Sequence, residues 1–323
     1  MNTIKKIGLT ALAASLVSTS AFAGELAVTG SASMSYENYS GNLSNNKYFT
    51  QSNNIYFKGG GELDNGLTVA VSYELDDGAN SDTASTSVWD NHSINVSSDS
   101  LGSFTLSGHG GSSAQGALDT TAAGDMWDNF DGTGVATAKV SSSLSGNDIM
   151  SYTLPTMAEG ISLTASHQAS GSAVAGAESS TSYAATYTGV DGLSVSYGMG
   201  ENNSSSTNKI DASTMKASYA YGSYTVSGSS TTSDQQTANA DKKATSYAVS
   251  YTVSENLSFT VGMEKIDDEA NVTADAKYQG ISTAYTAGSM TVSAGYQEAE
   301  NTNFTKATDA DMEYSYITLG FAF

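Results

Sequence analysis

Apolar and small polar residues alternate with a period of two along almost the whole chain. Clear examples run over 67–75, 247–253, 257–263 and 290–296, where every second residue is apolar and mostly Ser, Thr, Ala or Gly lies between. This pattern is typical of β-strands that have one face in an apolar medium and the other in a polar one. No comparable stripe with the 3.6-residue period of an amphipathic helix is found, so the sequence predicts an all-β protein.

The first 23 residues have the pattern of a secretory signal. Lys5 and Lys6 precede an apolar stretch over 7–17, and Ala21-Phe22-Ala23 has the small-x-small form of a cleavage site. The apolar stretch is too short for a spanning helix. An uncleaved N-terminal anchor is the alternative. We expect cleavage after Ala23, which leaves 24–323 as one exported domain.

The composition excludes several classes of protein. Asp and Glu number 33 against 12 Lys plus Arg, which gives a formal charge of −21, and every basic residue is lysine. So acidic a chain is repelled by nucleic acid phosphates, so we expect no nucleic acid partner. The absence of cysteine excludes a disulfide scaffold and thiolate metal sites. An ordinary aromatic fraction of 9% argues against disorder.

Short turns alternate with long polar connections along the predicted strands. We place seven short turns at 64–66, 99–102, 155–160, 189–192, 222–223, 254–256 and 287–289. Eight longer connections cover 40–50, 76–90, 110–147, 169–180, 201–209, 229–243, 265–274 and 297–309. These connections predict about sixteen strands. Because no apolar run is long enough for a helical span, a secreted β-protein and an outer-membrane barrel remain, and the short–long alternation favours a transmembrane antiparallel β-barrel.

The longest connection, over 110–147, carries acidic and aromatic residues together. A loop of this length without its own strands is usually functional, and its aromatic cluster needs a surface to pack on. We therefore expect this third loop to fold into the barrel lumen, with Trp127 as an anchor. Its carboxylates would form an acidic rim that attracts cations; an ordinary exposed loop is the alternative. The carboxylates in question are Asp119, Asp125, Asp128 and Asp131.

The chain ends on an amphipathic strand. Ile317, Leu319, Phe321 and Phe323 share one face, and smaller residues occupy the other. An apolar strand with a free edge is a liability in water and in lipid, where every backbone polar group needs a partner. We therefore expect this strand to close the barrel against the first strand, over 25–39.

Taken together, these features resemble the general diffusion porins of Gram-negative outer membranes, and their alphaproteobacterial branch most. The resemblance covers 24–323 and implies a 16-stranded barrel, usually a homotrimer, through which small hydrophilic solutes and ions diffuse passively. It also implies that Phe323 is read by the barrel-assembly machinery and that the barrel lies among outer-membrane lipid and lipopolysaccharide.

The chain departs from the family pattern in its basic residues. Many such porins place arginines on the wall opposite the third loop, whereas this chain has no arginine. Strand parity directs Lys58, Lys216, Glu37 and Glu74 into the lumen and places His109 at the mouth of the third loop. We therefore expect a weaker and more negative field, and a preference for cations.

Two other functions remain open from the sequence. One is a substrate-specific outer-membrane channel, and the other is a structural or adhesive surface barrel that its own loops plug. Enzyme activity is not expected, because no nucleophile elbow, phosphate loop or His-Glu-x-x-His motif occurs. No cofactor is expected. Acidic groups such as Asp76-Asp77 and Asp267-Asp268-Glu269 would hold Ca²⁺ loosely at most, and the identity of any metal site stays unknown.

Overall fold

A computed structural model describes residues 25–41, 46–76, 89–130, 140–170, 176–205, 207–270, 273–302, 304 and 311–323. The predicted signal peptide, 1–23, lies outside these residues. Within them the chain forms strands β1 to β16, in order: Glu25–Gly41, Lys47–Glu62, Thr68–Asp76, Trp89–Ser98, Gly102–His109, Ile149–Thr153, Ile161–Gln168, Ser180–Tyr187, Leu193–Asn202, Ile210–Tyr221, Tyr224–Gln235, Lys242–Ser254, Leu257–Asp268, Ala276–Ala287, Met290–Glu300 and Met312–Ala322.

The strands form one closed antiparallel barrel. Each strand pairs with its neighbours in sequence, and β1 pairs with β16 to close the ring. Closure satisfies the backbone polar groups of both edge strands, as a barrel in lipid requires. The predicted all-β fold, the number of strands and the closing pair are confirmed. None of the helical turns in the described ranges has the length and apolar character that a membrane-spanning helix needs.

The two faces of the strands differ as the alternation predicts. Large apolar side chains such as Met215 and Val261 are more than half exposed on the outer face, where lipid would cover them. The residues between them are mostly Ser, Thr, Ala and Gly and face the lumen. Six tyrosines lie on the same exposed outer face: Tyr36, Tyr73, Tyr187, Tyr219, Tyr251 and Tyr296.

Short turns join the strands at one end of the barrel, at the seven predicted positions. Glycine is needed where a turn has positive φ and touches the next hairpin. Gly192 has φ 77°, and a Cβ there would lie 2.3 Å from the carbonyl oxygen of Ala220. Gly102 has φ 79°, and its Cβ would lie 2.3 Å from the carbonyl oxygen of Thr153. Any other residue would strain both turns.

Several strands extend beyond their predicted ends into the long connections. Strand β11 continues to Gln235 and β12 begins at Lys242, so the connection predicted over 229–243 is much shorter. Strand β13 likewise continues to Asp268. The hydrophobic alternation marks a strand only where lipid contacts one face. Where a strand extends beyond the lipid, both of its faces meet water. The backbone hydrogen bonds between strands continue there, although the alternation of apolar and polar residues is lost.

Candidate functional site in the barrel lumen

The third long loop, between β5 and β6, lies against the inner wall of the barrel. Its two ends are joined by backbone hydrogen bonds between Gly111 and Gly146, each 2.7 Å. Between them the chain forms two short 3-10 helical turns, Gly116–Leu118 and Met126–Phe130. Its residues contact inward-facing residues of every strand from β7 to β16 and of β1. The expectation that this loop folds into the lumen is confirmed.

Wall serines hold the loop by its backbone. Each accepts a hydrogen bond from a loop N–H group at 2.8–2.9 Å, and the four donors form two pairs of consecutive loop residues. The acceptors are Ser166 on β7, Ser182 on β8, Ser229 on β11 and Ser246 on β12, and the donors are Ala114, Gln115, Ala122 and Ala123 respectively. These hydroxyls give partners to loop N–H groups that no strand ladder serves.

The Gln115 side chain connects the loop to the barrel wall and also to the segment of the loop that returns toward β6. Its side chain is fully buried. Its Nε2 donates to Thr214 Oγ1 at 2.8 Å, and its Oε1 accepts from the backbone N–H of Ser143 at 2.7 Å. One amide therefore satisfies partners on β10 and on the return segment of the loop.

Glycines in the wall make room for the loop. A Cβ at Gly198 would lie 3.0 Å from Gln115 Cα, and a Cβ at Gly262 would lie 2.7 Å from Ala123 Cβ. Glycine inside a strand often marks the close approach of another backbone. The loop therefore lies directly on strands β9 and β13.

A buried carboxylate on β13 holds the bend of the loop at residues 121–125. Glu264, 3% exposed, accepts hydrogen bonds from Thr121 Oγ1 and from the backbone N–H of Trp127, the latter at 3.3 Å. Thr121 and Asp125 in turn bond each other: Asp125 Oδ1 accepts from Thr121 N, and Asp125 N donates to Thr121 Oγ1, both at 2.8 Å. The pairing stabilises Asp125 at φ 53°, a region that non-glycine residues rarely adopt.

The middle of the loop, at residues 126–130, packs on aromatic residues of the wall. Met126 and Phe130 are buried in a cluster with Tyr39, Tyr278 and Tyr314. Trp127, the predicted anchor, is partly buried against the same cluster. The Tyr39 hydroxyl also donates to the backbone oxygen of Asn129 at 2.7 Å.

The structure places the four loop carboxylates in different surroundings. Asp119 is half-buried and accepts from Ser142 Oγ. Asp125 is half-buried in the bend described above. Asp128 is exposed. Asp131 lies outside the described residues.

The basic residues assigned to the lumen differ in how far they are engaged. Lys216 Nζ donates to the backbone oxygen of Thr120 at 2.6 Å, and the charges of Asp125 and Asp119 act on it. Lys58 is exposed, with its Nζ 5.0 Å from the centre of the Tyr56 ring. Lys216 is therefore attached to the loop, whereas Lys58 offers its charge to the lumen.

The other titratable residues singled out by parity lie near the root of the loop or on β1. Glu74 is buried and accepts from the amides of Asn54, at 3.1 Å, and Asn91. Glu37 is half-buried and accepts from Thr50 Oγ1 at 2.8 Å. His109 lies beside a β-bulge between β4 and β5, with its Nδ1 3.0 Å from Asp90 Oδ1. The bulge interrupts the alternation on which the assignment of His109 rests.

The seam between β1 and β16 is closed by Gly30 and Phe323. Gly30 N donates to Phe323 O at 2.7 Å, and Phe323 N donates to Gly30 O at 2.9 Å. A Cβ at Gly30 would lie 2.8 Å from the Phe323 ring, so the ring covers the bare backbone of the glycine. No group of three His, Cys, Asp or Glu side chains suited to a metal ion is found among the residues that the structure describes.

Sequence reasoning missed Glu264 and the wall serines. Glu264 could have been found, because it follows the alternating run 257–263 on the inward face of β13, whose preceding inward positions, Ser258, Thr260 and Gly262, are all small. The serines could not, because serine recurs along most strands and nothing local separates an anchor from a lining residue.

Comparison with known proteins gives a consistent result. A family model described as Gram-negative porin matches residues 8–303. No curated protein matches the chain. Among solved structures, the anion-selective porin of Comamonas acidovorans has a TM-score of 0.71 at 12% identity, covering 93% of this chain and 99% of its own. A loop-deletion mutant of OmpT of Vibrio cholerae has 0.72 at 14% identity, covering 94% and 100%. A mutant of the Rh. blastica porin has 0.65 at 15% identity, covering 93% and 100%.

Proposed function

The chain belongs to the Gram-negative porin family, and from this premise we propose that it forms a passive, water-filled, cation-preferring channel for small hydrophilic solutes and ions in the outer membrane. A barrel of sixteen strands is wide enough to leave an aqueous channel. The third loop narrows that channel from one side, and solutes move down their own gradients. No cofactor or reaction is needed for this transport.

The observation that carries the cation preference is the state of the charges around the lumen. The wall carries the half-buried Glu37 and the buried Glu74, Glu264 and Asp268. The loop adds the half-buried Asp119 and Asp125 and the exposed Asp128. Two of the lysines on the same surface are engaged: Lys216 is bonded to the loop, and Lys242 lies 3.5 Å from Asp268. With no arginine in the chain, carboxylates dominate the potential that a permeating ion meets.

The mechanism of this preference acts over distance. Excess carboxylate raises the local concentration of cations and lowers that of anions in a narrow space with walls of low dielectric constant. Salt screens such a field over about 10 Å at 0.1 M. The preference should therefore be strongest in dilute salt.

The fold alone does not determine the sign of the preference. One structural neighbour is named an anion-selective porin. At 12% identity, this chain shares the fold of that porin but few of its side chains. Selectivity in this architecture therefore rests on the residues that line the lumen, which are acidic in this chain.

The test is single-channel recording of the folded, detergent-purified protein in a planar bilayer with a KCl gradient. Large ohmic steps with a reversal potential near that of K⁺ support the proposal. Ohmic steps with a reversal potential near that of Cl⁻ refute the cation preference and keep the pore. Silence from barrels shown to be folded instead supports the structural or adhesive barrel, with the third loop as its plug.

The remaining partners belong to the same proposal. We expect a homotrimer in lipid and lipopolysaccharide, recognised during biogenesis by the barrel-assembly machinery through the strand that ends at Phe323. Steps that occur in groups of three would support the trimer. Ca²⁺ held loosely by the outer acidic loops is compatible with this picture and is not required for transport.

A further inference from the structure

Four tyrosines on the lumen side of β1, β2 and β16 form a continuous aromatic surface. We call Tyr39, Tyr48, Tyr314 and Tyr316 the lumenal tyrosine group. The Tyr48 and Tyr39 rings stack with centroids 5.8 Å apart, Tyr39 and Tyr314 lie 4.6 Å apart, and Tyr314 and Tyr316 lie 5.5 Å apart. They are distinct from the tyrosines of the lipid-facing surface, such as Tyr36, which alternate with them along the strands.

A carboxylate lies in the middle of this group. On β1, Glu37 is in register with Tyr48 of β2 on one side and with Tyr316 of β16 on the other. Adjacent strands are about 4.8 Å apart, so a tyrosine flanks the carboxylate at that spacing on each side. Thr50 Oγ1 and the Tyr314 hydroxyl bond Glu37. A carboxylate has about four acceptor positions, so it retains capacity for a further partner.

Two members of the group remain accessible from the lumen. Tyr39 and Tyr314 are buried under the end of the third loop, whereas Tyr48 is 40% exposed. Tyr316 is partly buried, and its ring lies along the wall over Gly295, where a Cβ would come 2.5 Å from the ring. Gly295 therefore allows this ring to lie flat against β15.

The combination of groups selects the chemistry of a ligand. Tyrosine faces attract cations through the ring quadrupole, most strongly when a carboxylate adds its charge and water is partly displaced. An organic ammonium ion satisfies both requirements at once, because its methyl or methylene groups cover the rings. A neutral sugar would use the rings but would gain little from an isolated negative charge.

We propose that Tyr48, Tyr316 and Glu37 form a binding station for organic ammonium ions on the wall of the channel. The inference rests on the proposed function, since a cation-preferring pore brings such ions to this wall. Solutes that carry a quaternary or primary ammonium group then pass by brief, saturable binding, whereas K⁺ passes by free diffusion. Within the general cation preference, organic ammonium ions are therefore a distinct class of substrate.

The experiment records KCl current through the intact protein while tetramethylammonium is added. Wild-type current should fall saturably, because the bound ion obstructs the path of K⁺. Tyr48→Leu should weaken apparent binding about two- to fivefold, the size of one cation–π contact at an exposed site. Glu37→Gln should weaken it in the same direction, because it removes the charge that attracts the ammonium ion. Tyr36→Leu on the outer face of β1 and Glu313→Gln on the outer face of β16 are matched controls and should leave the block unchanged. Glucose should give no saturable block.

Equal tetramethylammonium block in wild type, Glu37→Gln and Tyr48→Leu would overturn the inference while the channel itself stands. If the folded protein forms no channel, the proposed function fails, and the station is tested directly by tetramethylammonium binding to the detergent-solubilised barrel, measured by NMR line broadening. Broadening that Glu37→Gln abolishes would keep the station, and its absence in wild type would refute it. The heat-dependent shift in gel mobility establishes beforehand that each variant is folded.

Discussion

Thr121 and Glu264 face each other across the contact between the third loop and the barrel wall. The Thr121 hydroxyl donates to the Glu264 carboxylate and at the same time accepts from the backbone N–H of Asp125. One hydroxyl therefore connects the bend of the loop to strand β13. The position of the loop in the lumen depends on these two hydrogen bonds of Thr121, on the wall serines, and on the aromatic cluster around Met126 and Phe130.

Replacing Glu264 should loosen the bend. In Glu264→Gln a single amide oxygen remains as acceptor, so Thr121 Oγ1 and the N–H of Trp127 compete for it. We expect current noise in the open channel to rise several-fold, with a smaller change in mean conductance. Glu298→Gln, a carboxylate on the outer face of β15, is the control and should leave the noise unchanged. A Glu264→Gln channel as quiet as wild type would contradict the anchoring role.

The serine anchors can be tested one hydroxyl at a time. Ser246→Ala removes the acceptor of the Ala123 N–H, and leaving a buried donor unsatisfied costs about 1–3 kcal/mol. We expect faster hydrogen–deuterium exchange over 121–125, because the loop lifts more often from the wall. Ser250→Ala, four residues further along β12, removes a hydroxyl bonded to Thr260 and not to the loop. Its loop exchange should match wild type, and equal protection in both variants would rule out the anchor.

Charge substitutions should shift selectivity in opposite directions. Asp128→Asn removes an exposed carboxylate of the loop and should lower the K⁺ to Cl⁻ permeability ratio. Lys58→Gln removes an exposed lumen cation and should raise the same ratio. Both shifts should shrink as salt rises, because the Debye length falls to about 3 Å at 1 M. Glu313→Gln on the outer face serves as control. Shifts of the same sign in both variants would be incompatible with an electrostatic cause.

An ion pair between β13 and Asp275, which lies outside the strands, gives a pH dependence. Lys265 Nζ lies 2.9 Å from Asp275 Oδ2, and this contact holds the pKa of the Asp275 carboxyl below its usual range. A lowered folded-state pKa contributes stability above the usual aspartate value and loses it as pH falls through the folded-state value. Wild type should therefore be slightly more stable than Asp275→Asn at neutral pH.

The stabilities of wild type and Asp275→Asn should converge in acid. Because the pair is exposed, the difference is small and should fade in high salt. Urea midpoints of both proteins across the acid range measure it. A difference that grows as pH falls would have the wrong sign for this contact.

The seam should not tolerate a side chain at Gly30. A Cβ there meets the Phe323 ring at 2.8 Å and the Asn54 carbonyl oxygen at 2.7 Å. Overpacking of this kind costs about 1–3 kcal/mol, so Gly30→Val should lower the folded fraction in a refolding assay read by gel mobility. Ala32→Val, at the next outward position of β1, is the control and should fold normally. Normal refolding of Gly30→Val would mean that the ring moves aside freely.

The sequence was informative wherever one face of a strand meets lipid. The runs at 257–263 and 290–296 have the period of a half-apolar strand, and the number of hairpins follows from their turns. The sequence predicts ends for β11 and β13 that come too early, because no lipid contact imposes an apolar face on the last residues of these strands. The closing contact of β1 with β16 was predicted because an apolar edge in lipid has no other partner.

The path of the third loop was only partly predictable. Its length and its aromatic residues indicated an inward fold, but the anchors depend on which of many similar serines the loop meets. Ser182 and Ser246 differ from other wall serines only through contacts made by residues far away in sequence. Asp125 also shows the limit of local reasoning, since its carboxylate holds the bend as well as carrying charge.

The wall serines bind the third loop through its backbone. The position of the loop therefore does not depend on which side chains the loop carries at the bonded residues. An N–H group is present at every residue except proline, so Ala122 could be exchanged for other residues without losing its hydrogen bond to Ser229. Mutation could then change the loop side chains that line the channel while the hydrogen bonds to the wall serines are kept. A scaffold of this kind lends itself to diversification, and libraries built at the exposed loop positions offer a direct route to channels with new permeability.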